Sequence, residues 1–296
     1  MAPVGFWGPP TSTLDWCESN YEVTYYVAEF WNTISNVVMI IPPVLAAYRS
    51  WKVDTEMRVT LSYLALLCVG IGSWCFHMTL RYEMQLLDEL PMIWGSIIFV
   101  YALFEAHAPP RGSLRHSLVA LLCFYCFFVT VVYVTIKDPI IHQTAYAILV
   151  VTLLYKTIDV SRKCDEYSRK LVITATLTYA VGFTLWNIDN NFCFHVGLLR
   201  SRLPSALQPL TQLHFWWHII VGYSTYVHII FATYVRYSYL KKSFSVEWLY
   251  SFYPYLVCST EERKKDPGIT QNGMKQNGTY QNGIHQNGMH QNRICP

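Results

Sequence analysis

Apolar residues along this chain neither alternate nor keep to one helical face. They run in long blocks separated by short polar stretches. Seven blocks fall at about 30–48, 59–80, 88–107, 115–136, 141–159, 170–189 and 214–238. Each is near the roughly 17–25 residues that a membrane-spanning helix needs. The pattern predicts an all-α membrane protein, a bundle of seven transmembrane helices. Short loops join the blocks, so residues 1–258 read as one domain, with 1–29 ahead of the first helix. Pro42 and Pro43 fall inside that helix, where neighbouring helices can satisfy the freed carbonyls.

Composition strengthens this picture. Only 14% of residues are charged and 53% are hydrophobic, with a mean hydropathy of +0.23. Soluble domains carry about a quarter charged residues. Aromatics reach 16%, which suits rings placed at the lipid–water boundary. The net charge of +3 is too small to argue for nucleic acid. No zinc-ribbon or thioredoxin-type Cys pair is expected among the nine cysteines. The first 28 residues lack a basic start followed by an apolar run, so no cleavable signal peptide is expected and the first helix does the targeting.

Basic residues set the expected orientation. Arg49, Lys52, Arg58, Arg111, Arg115, Arg162, Lys163, Arg169, Lys170, Arg236, Lys241 and Lys242 follow the odd-numbered helices. The opposite ends hold Arg81, Lys137, Arg200 and Arg202. The positive-inside rule then puts the N-terminus outside the cytosol and the C-terminus inside. From about residue 259 the chain changes character, repeating Gln-Asn-Gly at positions 271, 276, 281 and 286. Polar, Gly-rich repeats bury too little apolar surface to fold, so 259–296 reads as a disordered cytosolic tail. His285 and His290 lie in it as solvated residues, and Asn277-Gly278-Thr279 as a sequon that a cytosolic tail keeps from glycosylation.

The orientation brings chemistry together. The second helix ends with Ser73 and His77, the third starts near Asp88 and Glu89, and the seventh starts with His214 and His218. All are expected at one depth, in the non-cytosolic half. His214 and His218 are four apart, on one helical face, and so are Ser73 and His77. Three neutral histidines and a water describe an open catalytic zinc site. Their alternative is packing as hydrogen-bonded core residues, although ionisable groups inside a bilayer default to function. Asp88 suits a general acid/base or an N-cap of the third helix. Glu89 projects about 100° away around that helix. Ser73 suits an oxyanion donor or, with Gly70 and Gly72, close helix packing. Asp15, Glu18, Asn20 and Glu29 form an oxygen-rich segment. It suits calcium, or a short helix start capped by Asp15 and Glu18. Cys17 and Cys193 both fall on the side where disulfides are permitted. Trp186-Asn187-Ile188-Asp189-Asn190 either lines the cavity or caps the sixth helix.

Several strings resemble the alkaline ceramidase family, most closely its alkaline ceramidase 3 (phytoceramidase) subtype. They are Gly72–Leu80, Glu83–Pro91, Trp186–Asn190 and Gln212–His218, with Trp7-Gly8-Pro9, Ser12–Cys17 and Glu29–Asn32. The likeness spans about residues 5–255. It implies a seven-helix hydrolase that cleaves ceramide into a sphingoid base and a free fatty acid. It implies zinc on His77, His214 and His218, and catalytic roles for Ser73 and Asp88. It also implies calcium held by Asp15, Glu18, Asn20, Glu29 and the carbonyl of Trp16, and a Cys17–Cys193 disulfide. The expected setting is a multi-pass protein of the endoplasmic reticulum or Golgi membrane, with ceramide in the bilayer as its partner. A zinc-containing receptor of the adiponectin-receptor type is the alternative reading.

Overall fold

In the computed structural model, residues 5–53, 55–109 and 115–258 are described. Arg111, the Gln-Asn-Gly repeats, His285 and His290 lie outside the described residues. The helices are α1 (Phe30–Ser35), α2 (Val37–Lys52), α3 (Met57–Thr79), α4 (Tyr82–Phe104), α5 (His116–Ile136), α6 (Pro139–Ser161), α7 (Glu166–Ser201) and α8 (Leu213–Tyr239). With α1 and α2 taken as one span, seven helices among the described residues are long and apolar enough to cross a membrane. This is the expected bundle.

Helix α8 is the central post. It carries the largest buried share of the seven spans and packs on α7, α1, α2 and α3. Helix α5 lies at the rim, most of its apolar residues facing outward, as lipid contact requires. The closest approach joins α3 to α4. A Cβ on Gly72 would stand 1.8 Å from the Leu87 carbonyl oxygen, so only glycine lets these helices meet beside Ser73 and Asp88.

Four details depart from expectation. Helix α4 begins at Tyr82, with Arg81 at the cap position, so Asp88 sits in the second turn and caps nothing. Helix α7 runs on to Ser201 past non-helical Phe192, which places Cys193 in a helical continuation rather than in a loop. Residues 13–20 form no helix, so Asp15 and Glu18 do not start one. An antiparallel hairpin, β1 (Phe244–Leu249) with β2 (Tyr253–Cys258), follows α8. Left-handed Tyr250 and Ser251 turn it. One Cys-x-x-Cys spacing also occurs, Cys123 to Cys126, correcting the view that the chain has none. Both thiols are free and lie within α5.

Candidate metal centre and active-site cavity

Helix α3 stops just after His77. Left-handed Leu80 ends it, and the Leu80 carbonyl accepts the Thr11 and Ser12 amides at 3.0 and 3.1 Å. The N-terminal segment is thereby stitched across the mouth of the bundle. Its other anchors are Arg200, which donates to the Cys17 carbonyl at 2.9 Å, and the Cys17–Cys193 disulfide, with Cα atoms 5.2 Å apart. Thr13 exchanges two 2.8 Å bonds with the Gln85 amide.

His77, His214 and His218 converge beneath this segment. All three are buried, and one ligand atom from each lies within 4.8 Å of the others. Among the described residues this is the single such group. The second nitrogens of His77 and His218 are held from behind. His77 Nδ1 donates to Glu29 Oε2 at 2.5 Å. His218 Nδ1 meets Ser35 Oγ at 2.8 Å and the Asn32 carbonyl at 3.1 Å. Such outer partners fix the tautomer and aim the remaining nitrogen. His77 Nε2 and His214 Nδ1 are buried without a hydrogen-bond partner. Buried polar atoms are rarely left so, and an ion is a standard reason. A nitrogen-only donor set of three imidazoles fits zinc with an open position. The indole of Trp16 stacks on His214 with ring centroids 3.8 Å apart.

Ser73 Oγ lies 3.4 Å from His218 Nε2, and its hydroxyl also hydrogen-bonds Asp88. The expected set of Ser73, His77, Asp88, His214 and His218 is thus brought together. Glu89 turns elsewhere. It accepts from Gln85 Nε2 at 2.9 Å and from Tyr133 Oη, and its carbonyl meets His142 Nε2 at 2.9 Å. This buried network ties α4 to α5 and α6 behind Asp88.

Asp189 lies too far from the other motifs in sequence for its role to be read there. Its carboxylate accepts the Leu213 and His214 amides, capping α8 from across the bundle, and the Cys17 amide at 3.2 Å. The 186–190 cluster therefore divides, for Trp186 lines the cavity while Asp189 caps a different helix. Glu18 works similarly, accepting the Trp31 and Asn32 amides at 2.7 and 2.8 Å at the start of α1. Burial pushes its carboxyl up to about 8 against those two bonds, and Glu29 nearby adds to the rise. Burial likewise holds Glu29 well above its ordinary value, with Asp15 and Asp189 raising it further. Asn20 Oδ1 and Glu29 Oε1 are buried acceptors without partners. Hard oxygen donors left in this condition fit a cation such as calcium.

An apolar cavity of about 640 Å³ opens from the triad. It runs between α6 and α7, which pack loosely against each other, and Ser73, Asp88, His214 and His218 form its polar end. Fold and site together define a seven-helix membrane protein in which a buried three-histidine cluster, able to hold a metal ion, faces a lipid-sized cavity.

The comparisons with known proteins make the assignment narrower. The family model described as Ceramidase matches residues 8–257, so the chain belongs to the ceramidase family. It is 48% identical to alkaline ceramidase 3 of Mus musculus over 258 residues, covering 86% of this chain and 96% of that protein. An alkaline ceramidase of Saccharomyces cerevisiae is 34% identical over 275 residues, covering 86% of each. Alkaline ceramidase 1 of Homo sapiens is 26% identical over 221 residues, covering 72% of this chain and 78% of that protein. The family match decides against the receptor reading.

Proposed function

We propose that this protein hydrolyses the amide bond of ceramide inside the membrane, releasing a sphingoid base and a free fatty acid. One observation carries the reading: a buried three-histidine cluster with two partnerless imidazole nitrogens adjoins the polar end of an apolar cavity, which Ser73, Asp88, His214 and His218 line. The loose α6–α7 seam supports sideways access for a lipid from the bilayer.

His77, His214 and His218 would hold zinc, which when bound would polarise an amide carbonyl and lower the pKa of a water to about 7. Asp88 takes a proton from the attacking water. The Ser73 hydroxyl donates to the amide oxygen as negative charge develops there. Asp88 then returns its proton to the sphingoid nitrogen as the C–N bond breaks. Glu29, Ser35 and the Asn32 carbonyl keep the imidazoles aimed during these steps. The apolar walls exclude bulk water, which strengthens each of these interactions.

Calcium is the second part of the reading. Asp15, Glu18, Asn20, Glu29 and the Trp16 carbonyl would hold it. It would neutralise crowded carboxylates and pin the N-terminal segment over the triad. Glu29 reaches both groups, since Oε2 binds His77 while Oε1 is free for a cation. Glu29→Ala should therefore lower thermal stability and turnover together and abolish stabilisation by added calcium. Unchanged melting with a full calcium response would contradict that role.

The basic residues support a non-cytosolic N-terminus, and the Cys17–Cys193 disulfide supports an oxidising lumen as the compartment that this end faces. The endoplasmic reticulum and Golgi both meet that condition. Turnover of ceramide by purified protein, compared with His218→Ala, tests the activity itself.

A further inference from the structure

The cavity ends in a polar pair that the reaction does not use. Besides Met39 of α2, five helices line the cavity along its depth, and on each the lining residue farthest from the triad marks its floor: Ala65 on α3, Phe99 on α4, Thr157 on α6, Val172 on α7 and His228 on α8. Thr157 Oγ1 and His228 Nε2 are hydrogen-bonded at 3.0 Å, joining α6 to α8 across the bottom. Below them the bundle is closed by packed side chains. Phe231, Leu103, Val160 and Leu171 are each at most 2% exposed. His228 lies parallel to Phe231 with ring centroids 6.1 Å apart, so the imidazole rests on that plug. Thr157 is buried, whereas His228 keeps partial exposure and lines the cavity.

His228 is ten residues beyond His218 on one helix, a descent of about 15 Å from the reacting end. That depth is finite, and its walls are mostly apolar. A hydrocarbon chain descending from the triad gains from each methylene buried until its end meets the Thr157–His228 pair. Further methylenes there must displace a hydrogen-bonded pair resting on close-packed core, where overpacking is unfavourable.

We propose that Thr157 and His228 form the floor that limits the length of one hydrocarbon tail of the substrate, and so determine chain-length specificity. The proposal rests on the ceramide reading. It concerns the tail rather than the amide. Neither residue touches the reacting atoms. The tail is the acyl chain or the sphingoid chain, and the two are chemically alike at the floor.

Internal competition reads this without relying on how much of each variant folds. Purified wild type receives equimolar ceramides in one mixed micelle, first with the sphingoid base fixed and acyl chains of 12 to 24 carbons, then with the acyl chain fixed and the base varied. Product ratios by mass spectrometry give ratios of kcat/KM. In one of the two series, wild type should show a break beyond which longer tails gain nothing. His228→Ala, which lowers the floor, should move the break to longer tails. The ratio of the first tail past the break to the last one before it should rise by about tenfold, the scale on which a hydrophobic site reads a methylene. Thr157→Leu, which raises the floor, should move the break the other way in the same series. The series that responds identifies which tail occupies the cavity. Wild-type turnover with profiles that both variants leave parallel in both series would overturn the floor while leaving ceramide hydrolysis intact. Shifts of both variants in the same direction would also overturn it. Absence of wild-type turnover on every ceramide would instead overturn the activity on which the proposal rests.

Discussion

Ser35 is a small residue with a large lever. Its hydroxyl bonds His218 Nδ1 at 2.8 Å and the Asn32 carbonyl at 2.8 Å, holding the imidazole that faces Ser73. Ser35→Ala should lower zinc affinity and turnover by about 10–100-fold, the usual cost of losing an outer partner of a metal-bound histidine. Zinc titration against a competing chelator measures it, and unchanged affinity would remove Ser35 from the site. Much at this scale was legible in the sequence. His214 and His218, and Ser73 and His77, share faces through their spacing, and the helix directions bring the two pairs to one depth. What stayed hidden depends on contacts between distant parts of the chain. Ser35 lies 183 residues from His218, and Cys17 lies 172 from Asp189. Asp189 gives no local sign of capping α8, and Glu18 gives none of capping α1. By its spacing alone the oxygen-rich segment pointed to a helix start rather than to calcium, which only the family resemblance implied. In the structure it forms no helix, because its carboxylates turn to amides and partners elsewhere.

Among elements, helix existence was readable and helix ends were not. Hydropathy blocks mark the lipid-exposed length of a span. Helices α4 and α7 extend past those blocks on polar residues that neighbours satisfy, such as Gln85 through Thr13 and Arg200 through Thr211 and Gln212. The hairpin after α8 was missed although Phe244-Ser245-Val246-Glu247-Trp248 alternates apolar and polar residues with the period of a strand, and it packs by aromatic contact, Tyr253 on Tyr226 and Phe244 on Tyr237. At the end remote from the triad, Glu56 binds Arg236 at 2.7 Å and Arg58 at 2.8 Å. Burial pushes the Glu56 carboxyl up, but hydrogen bonds from Arg236 and the charges of Arg58 and Arg236 outweigh it and hold it below 4.5. A depressed folded value means that the unfolded chain binds more protons below about pH 4.5. The stabilisation is therefore full above that pH and is lost as pH falls through the lower folded value. Glu56→Gln should lower the melting temperature at pH 7 and show less further loss on acidification. Parallel melting profiles from pH 7 to pH 3 would refute this.

For the whole molecule, one covalent bond and one segment organise the site end. The Cys17–Cys193 bridge closes a span of 176 residues and ties the segment bearing Trp16 to the α7 continuation. Its removal by Cys17→Ser should destabilise the protein by about 2–4 kcal/mol, read as a lower midpoint in thermal or denaturant unfolding. Equal stability with and without reductant would show that the bridge contributes nothing. If this end faces a lumen, an N-terminal tag in sealed microsomes should resist protease until the vesicles are opened.

The architecture as a whole places a three-histidine cluster suited to a metal ion at one end of an apolar cavity, open along a loose helix seam, in a chain of the ceramidase family. The direct test is ceramide turnover by purified, zinc-loaded protein at alkaline pH, with calcium present and sphingoid base quantified by mass spectrometry beside His218→Ala. The account predicts equimolar release of sphingoid base and fatty acid by the wild type. It predicts none by the variant, whose zinc content falls with its activity. Full turnover by a zinc-free His218→Ala protein, or none from folded, zinc-loaded wild type across ceramides of different chain length, would contradict it.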